Sequence, residues 1–170
     1  RDTLHTLAER LLVTLPKLTD PIDWEKTLCA QWMHDGNHSG HLRSLTPRLD
    51  QTFDTLIGID KQIEAFRSNI ELFMLNLPAN ATILWGSRGT GKSSMVRAAL
   101  QAYHRRGLRV IEVSKHHLND LPLIIDCIRL VSYRFIVYCD DLTFENGERE
   151  YAGLKTVLDG TLEEFGSNVL

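Results

Sequence analysis

At 170 residues, with hydrophobic side chains at 43% and charged ones at 24%, the chain has the make-up of one folded domain with a modest appendage, which excludes a disordered tail or a membrane-embedded protein. Its 19 Lys and Arg against 22 Asp and Glu leave a net charge of −3, which gives no general electrostatic reason to expect nucleic acid as a partner. No signal peptide opens the chain and no apolar run reaches a bilayer's span, so the expected compartment is the cytoplasm.

Residues 3 to 15 carry helical periodicity, and Asp20-Pro21 predicts a second helix, with cap and first-turn proline in order. From Asp35 to Asp54 the sequence is rich in Gly, Asn, His, Ser and Pro, the composition of a connector. The boundary expected is therefore near residue 50: a helical N-terminal segment and connector over 1–50, and the main domain over 51–170. Cys29, His34, His38 and His41 fall close enough to suggest zinc, but histidines in a polar loop without a second cysteine read as exposed side chains. His116-His117 carries still less of a metal signal. Three cysteines, Cys29, Cys127 and Cys139, are odd in number and lack C-x-x-C spacing, which argues against a disulfide framework. Two of them lie in apolar runs, where a thiol behaves as a small hydrophobe.

Asp60 is expected to cap a helix with Ile63, Phe66, Ile70, Phe73, Met74 and Leu77 on one face, ended by Pro78. The apolar run Ala81-Thr82-Ile83-Leu84-Trp85 then reads as a strand that delivers the chain into Gly86-Ser87-Arg88-Gly89-Thr90-Gly91-Lys92-Ser93-Ser94. That segment satisfies G-x-x-x-x-G-K-[ST] at every fixed position, the spacing of a phosphate-binding loop. Successive backbone N–H groups can face a phosphate oxygen only where no Cβ crowds the approach, and Gly86, Gly89 and Gly91 supply that freedom. A helix starting near Lys92, carrying Met95, Val96, Ala99 and Leu100, would present its positive end to the anion. Lys92 would reach the β- and γ-phosphates, and Ser93 would offer its hydroxyl to Mg²⁺.

Gly107 stops that helix. Residues 109–113 read as a second strand, a helix seeded near Pro122 carries Leu123, Ile124, Cys127 and Ile128, and residues 135–139 read as a third strand. A last helix is expected from about 148 to 164. Strands alternating with helices predict a parallel sheet covered on both faces. His104, Arg105, Arg106, Arg109 and Lys115 form the one basic cluster and read as solvated surface. The third strand ends in Asp140-Asp141. Ligands of such sheets gather at the carboxyl ends of strands, so Asp140 is the candidate for holding Mg²⁺ and Asp141 for orienting the attacking water, with Glu145 the alternative.

Leu56-Ile57-Gly58-Ile59-Asp60, the loop Gly86 to Ser93 and the Asp140-Asp141 strand end together resemble the AAA+ ATPase superfamily. More narrowly, Leu84 to Ser94, Gly107 to Val113 and Cys139 to Glu145 resemble a bacterial AAA+ group catalogued as domain of unknown function eight-one-five, over about residues 50 to 170. The resemblance implies a three-layer α/β/α phosphate-loop fold, ATP with Mg²⁺ as ligands, hydrolysis coupled to remodelling or loading of a protein partner, and adenine contacts at Ile57 and Gly58. It also implies a homo-oligomer when intact, with an arginine from a neighbouring subunit completing the site. On that pattern the chain stops on entering the sensor strand, so this segment alone is expected to bind nucleotide weakly and hydrolyse it poorly. Two other readings keep the same loop: a nucleotide-dependent adaptor or switch with little hydrolysis, and a small phosphotransferase in which the Asp140 strand sits directly beside the strand ending at Trp85.

Overall fold

The computed structural model describes residues 21–36, 39–84, 89–140 and 167–170. In chain order they form β1 (Cys29–Gly36), β2 (Ser39–Leu45), α1 (Asp60–Met74), α2 (Lys92–Tyr103), β3 (Leu108–Val113), α3 (Leu121–Ile128) and β4 (Arg134–Cys139), with short 3₁₀ turns at Phe53–Thr55, His104–Arg106 and Lys115–Asp120. The result is an α/β arrangement around a four-stranded mixed sheet in the order β2-β1-β3-β4. The helices expected over 3–15 and 148–164 lie outside the described residues. Among those described, no helix is long and apolar enough to cross a membrane.

Period-two alternation sorts the strands onto two cores. Ala30, Trp32, Ile111, Val113 and Phe135 pack against Leu121, Ile124 and Ile128 of α3. On the other face Val110 and Ile136 meet α1 and α2 through Ile63, Phe66, Ile70, Val96 and Leu100. Strands β3 and β4 run parallel, from Leu108 opposite Arg134 to Val113 opposite Cys139. Beyond β4, on the side away from β3, Val169 forms a parallel bridge with Phe135, and Leu170 N–H donates to the Phe135 carbonyl at 2.8 Å.

The N-terminal region corrects the sequence expectation. Residues following Asp20-Pro21 make only a turn at 24–26, and the helix expected there is absent. The stretch read as a connector instead contains β2, which pairs antiparallel with β1 from Cys29 opposite Leu45 to Gly36 opposite Ser39. β1 in turn pairs parallel with β3, Cys29 opposite Val110 and Gln31 opposite Glu112, so the sheet is mixed where a parallel one was expected. The driving force is aromatic burial. Trp24 and Trp32 are only 7% and 3% exposed, and sinking an indole of that size is worth on the order of 4 kcal/mol. That outweighs the polar composition of an edge strand.

A second correction concerns residues 81–84, which do not form a strand and pair with none of the four. Asn69 of α1 holds this segment instead: its Nδ2 donates to the Asn80 carbonyl at 2.7 Å and its Oδ1 accepts from the Asn80 N–H at 2.9 Å. Helix α1 begins at Asp60 itself, with Ile59 in the cap position. It ends at Met74, before Pro78, in a left-handed turn at Asn76 (φ 61°), where Leu77 N–H reaches the Leu72 carbonyl at 2.9 Å.

Arg109 is not solvated surface. Only 4% exposed, it donates from Nε to the Trp24 carbonyl at 2.8 Å and from one terminal nitrogen to the carbonyls of Leu108 at 2.8 Å and His104 at 3.1 Å. Its guanidinium lies 4.1 Å from the centre of the Tyr133 ring. Position 109 shares the parity of Ile111 and Val113, so the side chain must enter the core on the α3 face.

Candidate functional site

Of the glycine-rich loop, Gly89, Thr90 and Gly91 are described; Gly86, Ser87 and Arg88 lie outside the described residues. Gly89 and Gly91 both adopt left-handed φ, 81° and 85°, a conformation that side chains with a Cβ enter at a cost of about 1–2 kcal/mol. Gly91 occupies the cap position of α2, and the Met95 N–H donates to its carbonyl at 2.9 Å. Lys92, Ser93 and Ser94 form the first turn of that helix, all partly exposed. The backbone N–H groups of a helix's first turn have no partner within the helix, and the helix dipole makes that end favourable for an anion.

The segment 56–59 lies against this helix start. A Cβ placed on Gly91 would come within 3.4 Å of Ile59 Cδ1 and 3.8 Å of Leu56 Cδ2. Ile57, by contrast, is 93% exposed, and Gly58 turns the chain at φ 81° with open space around it. The apolar residues on either side are thus anchored to the loop while Ile57 and Gly58 stay accessible.

The decisive geometry joins the helix start to the end of β4. Ser93 Oγ donates to Asp140 Oδ2 at 2.9 Å, and Tyr138 Oη donates to Ser93 Oγ at 2.9 Å. The sequence pattern alone does not single out Tyr138, although alternation along β4 puts Ile136, Tyr138 and Asp140 on one face, the face that α2 covers. Burial, set against the hydrogen bond to Ser93 and supported by the charges of Asp140 and Glu112, pushes the Tyr138 hydroxyl up to about 12. It therefore stays protonated, and a donor, throughout the neutral range. Asp141 and Glu145 lie outside the described residues.

An open cleft runs along the carboxyl ends of β3 and β4 and past Gln31 of β1, lined also by Glu112, Ser114, Lys115, His116 and Asp140. Beside it, the Cys139 thiol is pushed up to about 11, by burial first and by the Asp140 charge second. A thiol so raised stays protonated and is a poor nucleophile. Cys127, read as part of an apolar run, is exposed on α3.

The cysteine and histidines of the hairpin do not converge. Cys29 packs at the edge of the α1–α2 core, His41 Nδ1 lies 2.7 Å from Asp35 Oδ2, and His34 Nδ1 lies 2.8 Å from Asp120 Oδ2. His38 is outside the described residues.

Comparison with known proteins finds one family, described as protein of unknown function (DUF815), which matches over residues 25–170. No curated protein and no solved structure matches the chain.

Proposed function

We propose, for a chain that belongs to the DUF815 family, that it binds Mg²⁺–ATP at the start of α2 and, in the intact protein, hydrolyses it as an AAA+-type ATPase to remodel or load a protein partner. The observation that carries this reading is the 2.9 Å contact between Ser93 Oγ and Asp140 Oδ2. A hydroxyl at the first turn of a glycine-capped helix and a carboxylate at the end of a strand are hard oxygen donors held side by side, which is the donor set Mg²⁺ takes. Mg²⁺, when bound there, would neutralise charge on the phosphates.

The remaining roles belong to the chain. Lys92 would place an ammonium against the β- and γ-phosphates, and the N–H groups after Gly89 and Gly91 would hold the same oxygens. Ile57 and Gly58, accessible beside the loop, would meet the base. Asp141, or Glu145 in its place, would orient the attacking water. An arginine from a neighbouring subunit would complete the site, as the AAA+ resemblance implies. Catalysis would then be positioning together with charge stabilisation.

The strand order favours this form over a small phosphotransferase. The edge of β4 away from β3 is taken by Val169, whereas a phosphotransferase would need the strand preceding the loop in that place. The test is ATP affinity by calorimetry in the presence of Mg²⁺. Lys92→Ala should weaken binding about 10- to 100-fold, the range for losing a charged hydrogen-bond donor. Unchanged affinity in that variant would overturn the proposal.

A further inference from the structure

On the opposite face of the sheet, the one covered by α3, the structure gathers three side chains that the nucleotide reading does not use. His34 stands at the end of β1, and His117 and Asp120 stand on the 3₁₀ turn that follows β3. One donor atom from each lies within 4.8 Å of the other two. The two imidazoles stack, with centroids 4.7 Å apart and planes inclined by 11°. Asp120 is 7% exposed; its Oδ2 accepts from Trp32 Nε1 at 2.9 Å and lies 2.8 Å from His34 Nδ1.

The chemistry of this set is specific. Two imidazoles and a carboxylate are the ligand types that suit Zn²⁺, which binds them at about 2.0–2.2 Å. The carboxylate is already oriented by an indole N–H, the kind of outer support that fixes metal ligands. The His34 side chain is 30% exposed, which leaves an entry path from solvent. On metal binding the 2.8 Å contact between His34 and Asp120 would give way to the tetrahedral donor separation of about 3.4 Å.

We propose that His34, His117 and Asp120 form a binding site for a divalent transition-metal ion, Zn²⁺ by ligand type, that clamps the β1–β2 hairpin to the turn after β3. A water or an incoming ligand fills the fourth position. The site is separate from the loop: His34 shares its strand face with Ala30 and Trp32, while Gln31 points to the cleft beside Asp140.

The experiment is a calorimetric titration of the chelator-treated chain with Zn²⁺, paired with Co²⁺ absorption spectra and thermal unfolding. The expected result is one Zn²⁺ per chain, a higher melting temperature with metal, and imidazole-type cobalt bands. His117→Ala and Asp120→Asn should each weaken affinity about tenfold or more, while His41→Ala, whose partner is Asp35, should not. Asp120→Asn keeps an acceptor for Trp32, and the partly exposed His117 carries the test should the Asn variant fail to fold. The proposal is overturned by a wild-type chain that binds no Zn²⁺, or by His117→Ala binding it as the wild type does. Mg²⁺–ATP affinity, measured alongside, should be the same in His117→Ala, so that failure of the metal site is distinguishable from failure of the nucleotide reading.

Discussion

Tyr138 donates to Ser93 at 2.9 Å, and Ser93 donates in turn to Asp140 at 2.9 Å, so a strand residue of the core fixes the hydroxyl at the head of α2. Because the Tyr138 hydroxyl donates, it occupies one lone pair of Ser93 and leaves the other for a cation. Tyr138→Phe keeps the ring and removes the donor. Mg²⁺-dependent ATP affinity should fall about 2- to 10-fold, the range for a neutral hydrogen bond. The readout is a Mg²⁺ titration at fixed ATP: the variant should need more Mg²⁺ for the same occupancy, and an unshifted curve would remove Tyr138 from the site.

Asp140→Asn tests the other end of the same chain. The amide can still accept from Ser93, so packing around β4 should survive, and the melting temperature should move little. What is lost is the negative charge that would draw Mg²⁺. ATP binding without Mg²⁺ should therefore be unchanged or slightly stronger, while the gain on adding Mg²⁺ shrinks. Equal Mg²⁺ dependence in wild type and variant would exclude Asp140 as a cation ligand.

How far the sequence could be read follows from where each segment draws its stability. β3 and β4 are short apolar runs with buried neighbours on both sides, α2 follows a glycine cap, and α1 carries its stripe at helical spacing, so local pattern and tertiary need agree. β2 is an edge strand, and Gly40, His41, Arg43 and Ser44 look like loop because one side of that strand meets solvent. It is a strand because it pairs along β1, where Leu42 stands opposite Trp32 and packs with it in the core. The segment 81–84 fails in the opposite sense: its apolar run predicts a strand, yet Ile83 is 55% exposed and Asn69, not a sheet neighbour, holds the segment. The metal-ligand set was illegible because His34 and Asp120 are 86 residues apart in sequence, and only the parallel pairing of β1 with β3 brings them together.

Glu71 ties α1 to the end of α2. Its carboxylate lies 3.0 Å from an Arg106 terminal nitrogen, and a hydrogen bond from Tyr103, opposed by slight burial and aided by Arg106, holds its pKa below the ordinary value of 4.5. A depressed carboxylate stabilises the fold above its unfolded pKa, and that stabilisation is lost as pH falls through the lower folded value. Glu71→Gln should therefore be less stable than wild type near neutrality and converge with it only once the pH has fallen below the lowered folded pKa. With both partners more than a third exposed, the difference at neutral pH should be no more than about 1 kcal/mol. Urea midpoints of the two proteins across pH give the measurement, and a gap that stays constant into acid would assign the effect to packing.

Gly40 is where the hairpin and the core make their closest demand on each other. A Cβ at that position would lie 2.8 Å from Trp32 Cε2 and 2.6 Å from the Met33 carbonyl oxygen. The backbone oxygen cannot move without breaking the β1–β2 ladder, and the indole cannot move without leaving its hydrogen bond to Asp120. Gly40→Ala should therefore cost about 1–3 kcal/mol, the range for overpacking a filled site. The loss would fall on the hairpin first, because α1 and α2 pack on the opposite face. Hydrogen exchange should show faster exchange in β1 and β2 than in α2, and tryptophan fluorescence should report a more exposed Trp32. A variant as stable as wild type would mean that the indole has room to shift, and that its N–H does not hold the Asp120 carboxylate in one position.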